Sequence, residues 1–96
     1  MKFKIGIVTR DINRFHATVE HMIKVGQIDD NNLTRTQYGW HSKYVDIQPI
    51  YIYSLSHYRG YRFHFVTSEK DFPKLMETDE FQKNRHCVRL VPFINS

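Results

Sequence analysis

Six segments alternating as strand, helix, strand, strand, helix, strand predict an α/β (α+β) fold, a two-layer sandwich with both helices on one face of a four-stranded sheet. Three observations carry that reading. Residues 3–9 (FKIGIVT) are a run of β-branched and apolar residues, the mark of a buried, central strand. Ile12, Phe15, Val19, Met22 and Ile23 then recur at helical spacing. Beyond residue 34 the chain alternates and is rich in tyrosine and isoleucine, which suit a pleated surface.

Each element has local support. Asp11 is placed to cap the first helix and Gly26 to stop it in a left-handed conformation, giving a helix over roughly 11–25. Asp29, Asp30, Asn31 and Asn32 carry turn chemistry and predict a loop. Residues 36–44 read as a strand or an extended loop, and 47–53 (IQPIYIY) as a strand that Pro49 confines to an edge or to its first residues. Residues 54–60 (SLSHYRG) read as a turn or a single helical turn ending at Gly60, before an alternating strand over 61–67. Ser68 to Asp71 has capping-box spacing, with Asp in place of the usual Glu or Gln. It opens a second helix with Pro73 in its first turn, Phe72, Leu75 and Met76 facing the core, and an end near Asn84. Residues 87–93 (CVRLVPF) form a last strand, at an edge because of Pro92. The resulting β-α-β-β-α-β order is ferredoxin-like. The alternative is a small Rossmann-like parallel sheet, which follows if residues 54–60 cross over as a helix instead of turning back as a hairpin.

Ninety-six residues make one domain, 1–96, too small for a large substrate chamber and expected to fray only at Ile94 to Ser96. Fourteen Lys and Arg against ten Asp and Glu give a net charge of +4, and the excess lies in the middle of the chain. Residues 31–67 hold Arg35, Lys43, Arg59 and Arg62 against Asp46 alone, whereas 68–96 are balanced. A single cysteine, Cys87, allows neither an internal disulfide nor a thiolate zinc cluster, which fits a reducing, cytoplasmic setting. The short apolar stretch before Arg10 reads as neither a signal peptide nor a membrane span.

All six tyrosines and Trp40 fall between Tyr38 and Tyr61, interleaved with histidine, lysine and arginine. Bases stack on aromatic faces while cations take phosphates, so this segment predicts a nucleic-acid-binding surface for RNA or single-stranded DNA. The expected contacts are Trp40, Lys43, Tyr58, Arg59, Tyr61, Arg62, Phe63 and His64. Tyr61 and Phe63 are expected on one face of a strand, with Arg62 and His64 on the other. Trp40 has a second reading, as a plug at one end of the core. The same residue types are enriched at protein interfaces, so docking on a partner protein is the alternative function.

Residues 59–66 (RGYRFHFV) resemble the third-strand motif of RNA-recognition-motif domains: Arg59, Gly60, Tyr61 and Phe63 match, whereas Arg62, His64 and Val66 do not. The companion motif on the first strand needs an aromatic residue where this chain has Gly6. The resemblance implies a binding face carried by the sheet. The turn ending in Arg59-Gly60 before an apolar strand also resembles the approach to the acidic strand of helicase and terminase ATPases, but no Gly-x-x-x-x-Gly-Lys phosphate loop is present.

No reaction, cofactor or metal site is expected. His16 and His21 lie five apart on the first helix, off a shared face, and read as surface residues. Glu77, Asp79 and Glu80 read as a solvated face, and Cys87 as a buried small hydrophobe. A metal-independent ribonuclease using His57 and His64 as acid and base is the second alternative, opposed by the alternation that turns His64 away from Tyr61.

Overall fold

The computed structural model describes residues 1–94. The chain begins with strand β1 (Phe3–Thr9), followed by helix α1 (Ile12–Lys24). Asp11 caps that helix by accepting from the Arg14 amide, and Gly26, at φ 82°, ends it. Strands β2 (Thr34–Thr36), β3 (Gly39–His41) and β4 (Val45–Tyr51) form an antiparallel meander. Two 3-10 turns then run through Ile52–Tyr58, with a break at Ser54, to strands β5 (Arg62–Phe63) and β6 (Phe65–Ser68). Further on lie a 3-10 turn (Leu75–Glu77), the one-turn helix α2 (Asp79–Gln82), a 3-10 turn (Arg85–Cys87) and strand β7 (Arg89–Leu90). Asn95 and Ser96, part of the segment expected to fray, lie outside the described residues.

The α/β class stands, but the sheet is five-stranded and mixed, in the order β2-β3-β4-β1-β6, and the ferredoxin-like four-stranded layout does not form. Strand β1 sits between β4 and β6 and is parallel to both. The connection after β4 therefore crosses over the sheet, as in the parallel alternative, and carries apolar side chains with it. Two cores result. Ile5, Ile7 and Ile47 pack under Phe15, Val19 and Met22 of α1. On the opposite face Val8 and Ile50 are covered by Ile52, Leu55, Tyr58, Phe63, Leu75, Phe81 and Cys87. A hairpin at residues 54–60 would have left that second apolar face in water, and this burial opposes it.

The expected second helix is replaced by turns, in part for a reason outside its own sequence. Ser68 ends β6, and Glu69 is wholly buried, its carboxylate accepting from Arg10 Nε at 2.5 Å and Thr9 Oγ1 at 3.1 Å. Held there, and with its amide donating to the Val8 carbonyl at 2.9 Å, Glu69 prolongs the pairing with β1 and cannot open a helix as its first residue. Pro73 lacks an amide hydrogen, and extended Thr78 (ψ 153°) separates the 3-10 turn from α2, which Thr78 itself caps. The expected 87–93 strand shrinks to Arg89–Leu90, which pairs with Arg62–Phe63 in a separate two-stranded ribbon. Cys87 is buried at the end of a 3-10 turn. No helix among the described residues is long and apolar enough to cross a membrane.

Candidate nucleic-acid interface

Strand alternation sets the floor of the site. Gly6 points into the core face opposite α1, where an added Cβ would lie 2.4 Å from Ile50 Cδ1 and 3.0 Å from Phe63 Cδ1. This is the position at which an RNA-recognition-motif domain carries an aromatic residue, and no aromatic ring fits here. Lys4, two residues earlier, shares that face. Register pairs Lys4 with Asp46 and Gly6 with Gln48 across β1 and β4, and Asp46 with His41 across β4 and β3. Lys4, Gln48 and His41 thus lie in one stretch of sheet that the crossing segment leaves partly open.

An aromatic ridge borders this floor. Tyr61 is 40% exposed; its ring stacks on that of buried Phe63 with centroids 6.2 Å apart and planes 26° apart. It also meets Tyr58 edge-on at 5.5 Å and His57 at 6.1 Å. One part of the groove, of about 320 Å³, is lined by Tyr38, His41, Gln48, Tyr51, His57 and Tyr61. A second part shares Gln48 and Tyr61 and continues past Lys4 and Arg62. No acid lines either part. Asp46 lies beneath His41, and Lys2 approaches it at 3.4 Å. Burial raises the pKa of Asp46, but hydrogen bonds from His41 and Lys2 outweigh that and hold it below the ordinary carboxylate value. Its charge is therefore spent locally, and the groove keeps the cations Lys4 and Arg62.

The eight residues expected from sequence separate into different places. Tyr61 and Arg62 line the groove and are exposed. Tyr58 and Phe63 are core residues, 5% and 1% exposed, because the sheet face they occupy is covered. The Tyr58 hydroxyl accepts from the Tyr51 amide at 3.1 Å, and burial raises its pKa. Arg59 is exposed beside His86, 3.3 Å from its Nε2. Lys43 is exposed in the β3–β4 turn, over the Tyr44 ring. His64 accepts from the Lys4 amide through Nδ1 at 2.8 Å, with its ring against Phe3 and Phe93. Trp40 is half-buried against the α1 core, so it is a plug, and Arg35 covers its outer side at 5.6 Å. Lys4, Gln48, His41, Tyr38 and His57 are groove residues that the expected set lacks. The signal for the first two was the two-residue period of β1 and β4, which becomes informative once those strands are known to be parallel neighbours.

His16 is a further correction, because it is buried and not a surface residue. Its Nδ1 accepts from Trp40 Nε1 at 2.9 Å. Burial, then repulsion by Arg35, lowers its pKa below the ordinary 6.5, with Glu20 opposing. A base with a lowered folded-state pKa takes up its proton more readily when unfolded. Its contribution to stability is therefore complete above about 6.5 and lost as pH falls from there through the folded-state value. The thermal midpoint followed by Trp40 emission is expected to drop between pH 7.5 and 5.5, and to drop less in His16→Gln, which keeps an acceptor without an imidazole. A midpoint equally pH-dependent in both proteins would contradict this.

Among the described residues no three His, Cys, Asp or Glu side chains cluster closely enough to hold a metal ion. Comparison with protein-family models, with curated proteins and with solved structures finds no match for this chain.

Proposed function

We propose that this chain binds single-stranded nucleic acid, RNA or DNA, along the groove between the Tyr61 ridge and the open floor of β4 and β1. The observation that carries the reading is an exposed tyrosine ring, fixed from behind by stacking on a buried phenylalanine, beside two cations with no acid on the groove wall. A ring held in place costs little entropy when a base stacks on it, and stacking is tolerant of sequence. Lys4 and Arg62 line the same part of the groove and can take backbone phosphates, and the Gln48 amide offers both a donor and an acceptor to a base edge or a phosphate. The free cysteine is buried, consistent with a protein of the reducing cytoplasm.

The test is salt-dependent binding. Each phosphate contact on a single strand contributes a slope of about 0.7 in log K against log salt. Lys4→Ala with Arg62→Ala is therefore expected to flatten the slope by about 1.4 while leaving the fold intact, since both side chains are exposed. Arg59→Ala, beside His86, is expected to change it little. The competing reading, docking on a partner protein, draws on the exposure of Tyr38, Tyr44 and Tyr53. Absence of wild-type binding to a mixed-sequence oligonucleotide at low salt would favour it.

A further inference from the structure

The groove holds a pair of histidines that its binding role does not use. His41 Nδ1 lies 3.0 Å from Asp46 Oδ1, and the charged carboxylate accepts, so the ring hydrogen sits on Nδ1 and the lone pair on Nε2. Nε2 has no partner among the described residues, yet no buried side-chain nitrogen or oxygen among them is unpaired, so Nε2 reaches solvent. The ring owes its position to Gly39, at φ 156°. A Cβ there would come within 3.3 Å of Nε2 and 2.4 Å of the Ile47 carbonyl oxygen. His57 lines the same part of the groove; it is exposed near the end of the 3-10 turns, and its side chain hydrogen-bonds no other described residue. His64 cannot serve in its place, because its Nδ1 is engaged by the Lys4 amide.

We propose that this groove cleaves single-stranded RNA by transphosphorylation, with His41 as general base and His57 as general acid. The proposal rests on the nucleic-acid reading and adds a reaction to it. Unprotonated His41 Nε2 takes the proton of a ribose 2′-hydroxyl, and that oxygen attacks the adjacent phosphorus. The P–O2′ bond forms as the P–O5′ bond breaks, and the departing 5′ oxygen takes a proton from the His57 imidazolium. The products are a 2′,3′-cyclic phosphate and a 5′-hydroxyl end, so atoms and charge balance with no co-reactant. Solvent then returns His41 to its neutral and His57 to its charged form. Asp46 is a positioning residue: it fixes the His41 tautomer and stabilises the imidazolium that forms. Gln48, which lines both parts of the groove, and Lys4 and Arg62 in its second part supply donors for the phosphate oxygens.

The pH profile is expected to be bell-shaped, because one imidazole acts neutral and the other charged. The other titrating groups facing this space are the phenols of Tyr38, Tyr51, Tyr58 and Tyr61, with Asp46 and Lys2 behind His41. Burial moves Tyr51 and Tyr58 further above the ordinary phenol range, so neither of these phenols sets a limb of the profile.

The experiment incubates purified protein with end-labelled single-stranded RNA in EDTA between pH 5 and 9, and measures binding of the all-deoxy oligonucleotide in parallel. The expected result is cyclic-phosphate products, a bell-shaped rate, a loss of about 100-fold or more in both His41→Ala and His57→Ala, and no cleavage of the bound deoxy strand. Asp46→Asn is expected to slow cleavage and displace one limb of the profile. RNA left intact while the deoxy strand binds would overturn the cleavage and leave the binding. Failure of both strands to bind would overturn both readings. Cleavage undiminished in the two histidine variants would overturn the assignment.

Discussion

Phe63→Ala is expected to destabilise the fold by about 3–5 kcal/mol. Phe63 is 1% exposed in the core shared with Ile50, Leu55, Tyr58 and Leu75, and its ring packs over Gly6, so truncation leaves a cavity that strands β1 and β4 cannot close. Against a total stability of about 5–15 kcal/mol for a domain, a loss of this size shifts the urea midpoint far to lower concentration. Tyr61→Ala, two residues away, is expected to change stability by less than about 1 kcal/mol, because its ring is already exposed to solvent. Its cost falls on binding instead, about 1–3 kcal/mol for each base that stacks there. Urea unfolding and oligonucleotide titration of the two variants separate a support from a contact. Equal stability losses would place both rings in the core.

The second large effect is expected for Arg10→Ala, at about 3 kcal/mol. Glu69 is wholly buried, whereas the Arg10 side chain is 31% exposed, so the partners are not equivalent. Removing Arg10 strands a carboxylate in the interior with only Thr9 to hydrogen-bond it. Removing the charge at the other end, in Glu69→Gln, leaves Arg10 free to hydrate and keeps an acceptor for Thr9, and is expected to cost less. Adding Glu69→Gln to Arg10→Ala should therefore recover part of the loss, which denaturant unfolding of the three variants at neutral pH measures. A loss of less than about 1 kcal/mol in Arg10→Ala would mean that Glu69 is not held as an ion pair.

These two sites mark the boundary of what the sequence discloses. Strand β1 and helix α1 are legible because their signals are local: a β-branched run, helical spacing, Asp11 before the first turn and Gly26 after the last. The segment after β6 is not legible. Ser68 to Asp71 has the form of a helix start, but the fate of Glu69 depends on Arg10, 59 residues away in the chain. Trp40 reads equally well as platform or plug until His16, on another element, accepts its indole hydrogen. In the site, alternation brought Tyr61 and Phe63 together but not the burial of one and exposure of the other. That follows from the crossing segment, which covers the sheet face carrying Val8 and Ile50. Lys4 and Gln48 lie 44 residues apart in sequence and meet because β1 pairs in parallel with β4, a pairing that no turn residue announces.

The claim that the groove is a nucleic-acid interface is tested most directly by following the backbone amide resonances during titration with a short single-stranded oligonucleotide at low and at moderate salt. The expected result is saturable shifts concentrated at Lys4, His41, Gln48, Tyr61 and Arg62 that weaken steeply with salt, while α1 and the Trp40–His16 contact stay still. Shifts centred on α1 or Trp40, or none at low salt, would contradict it.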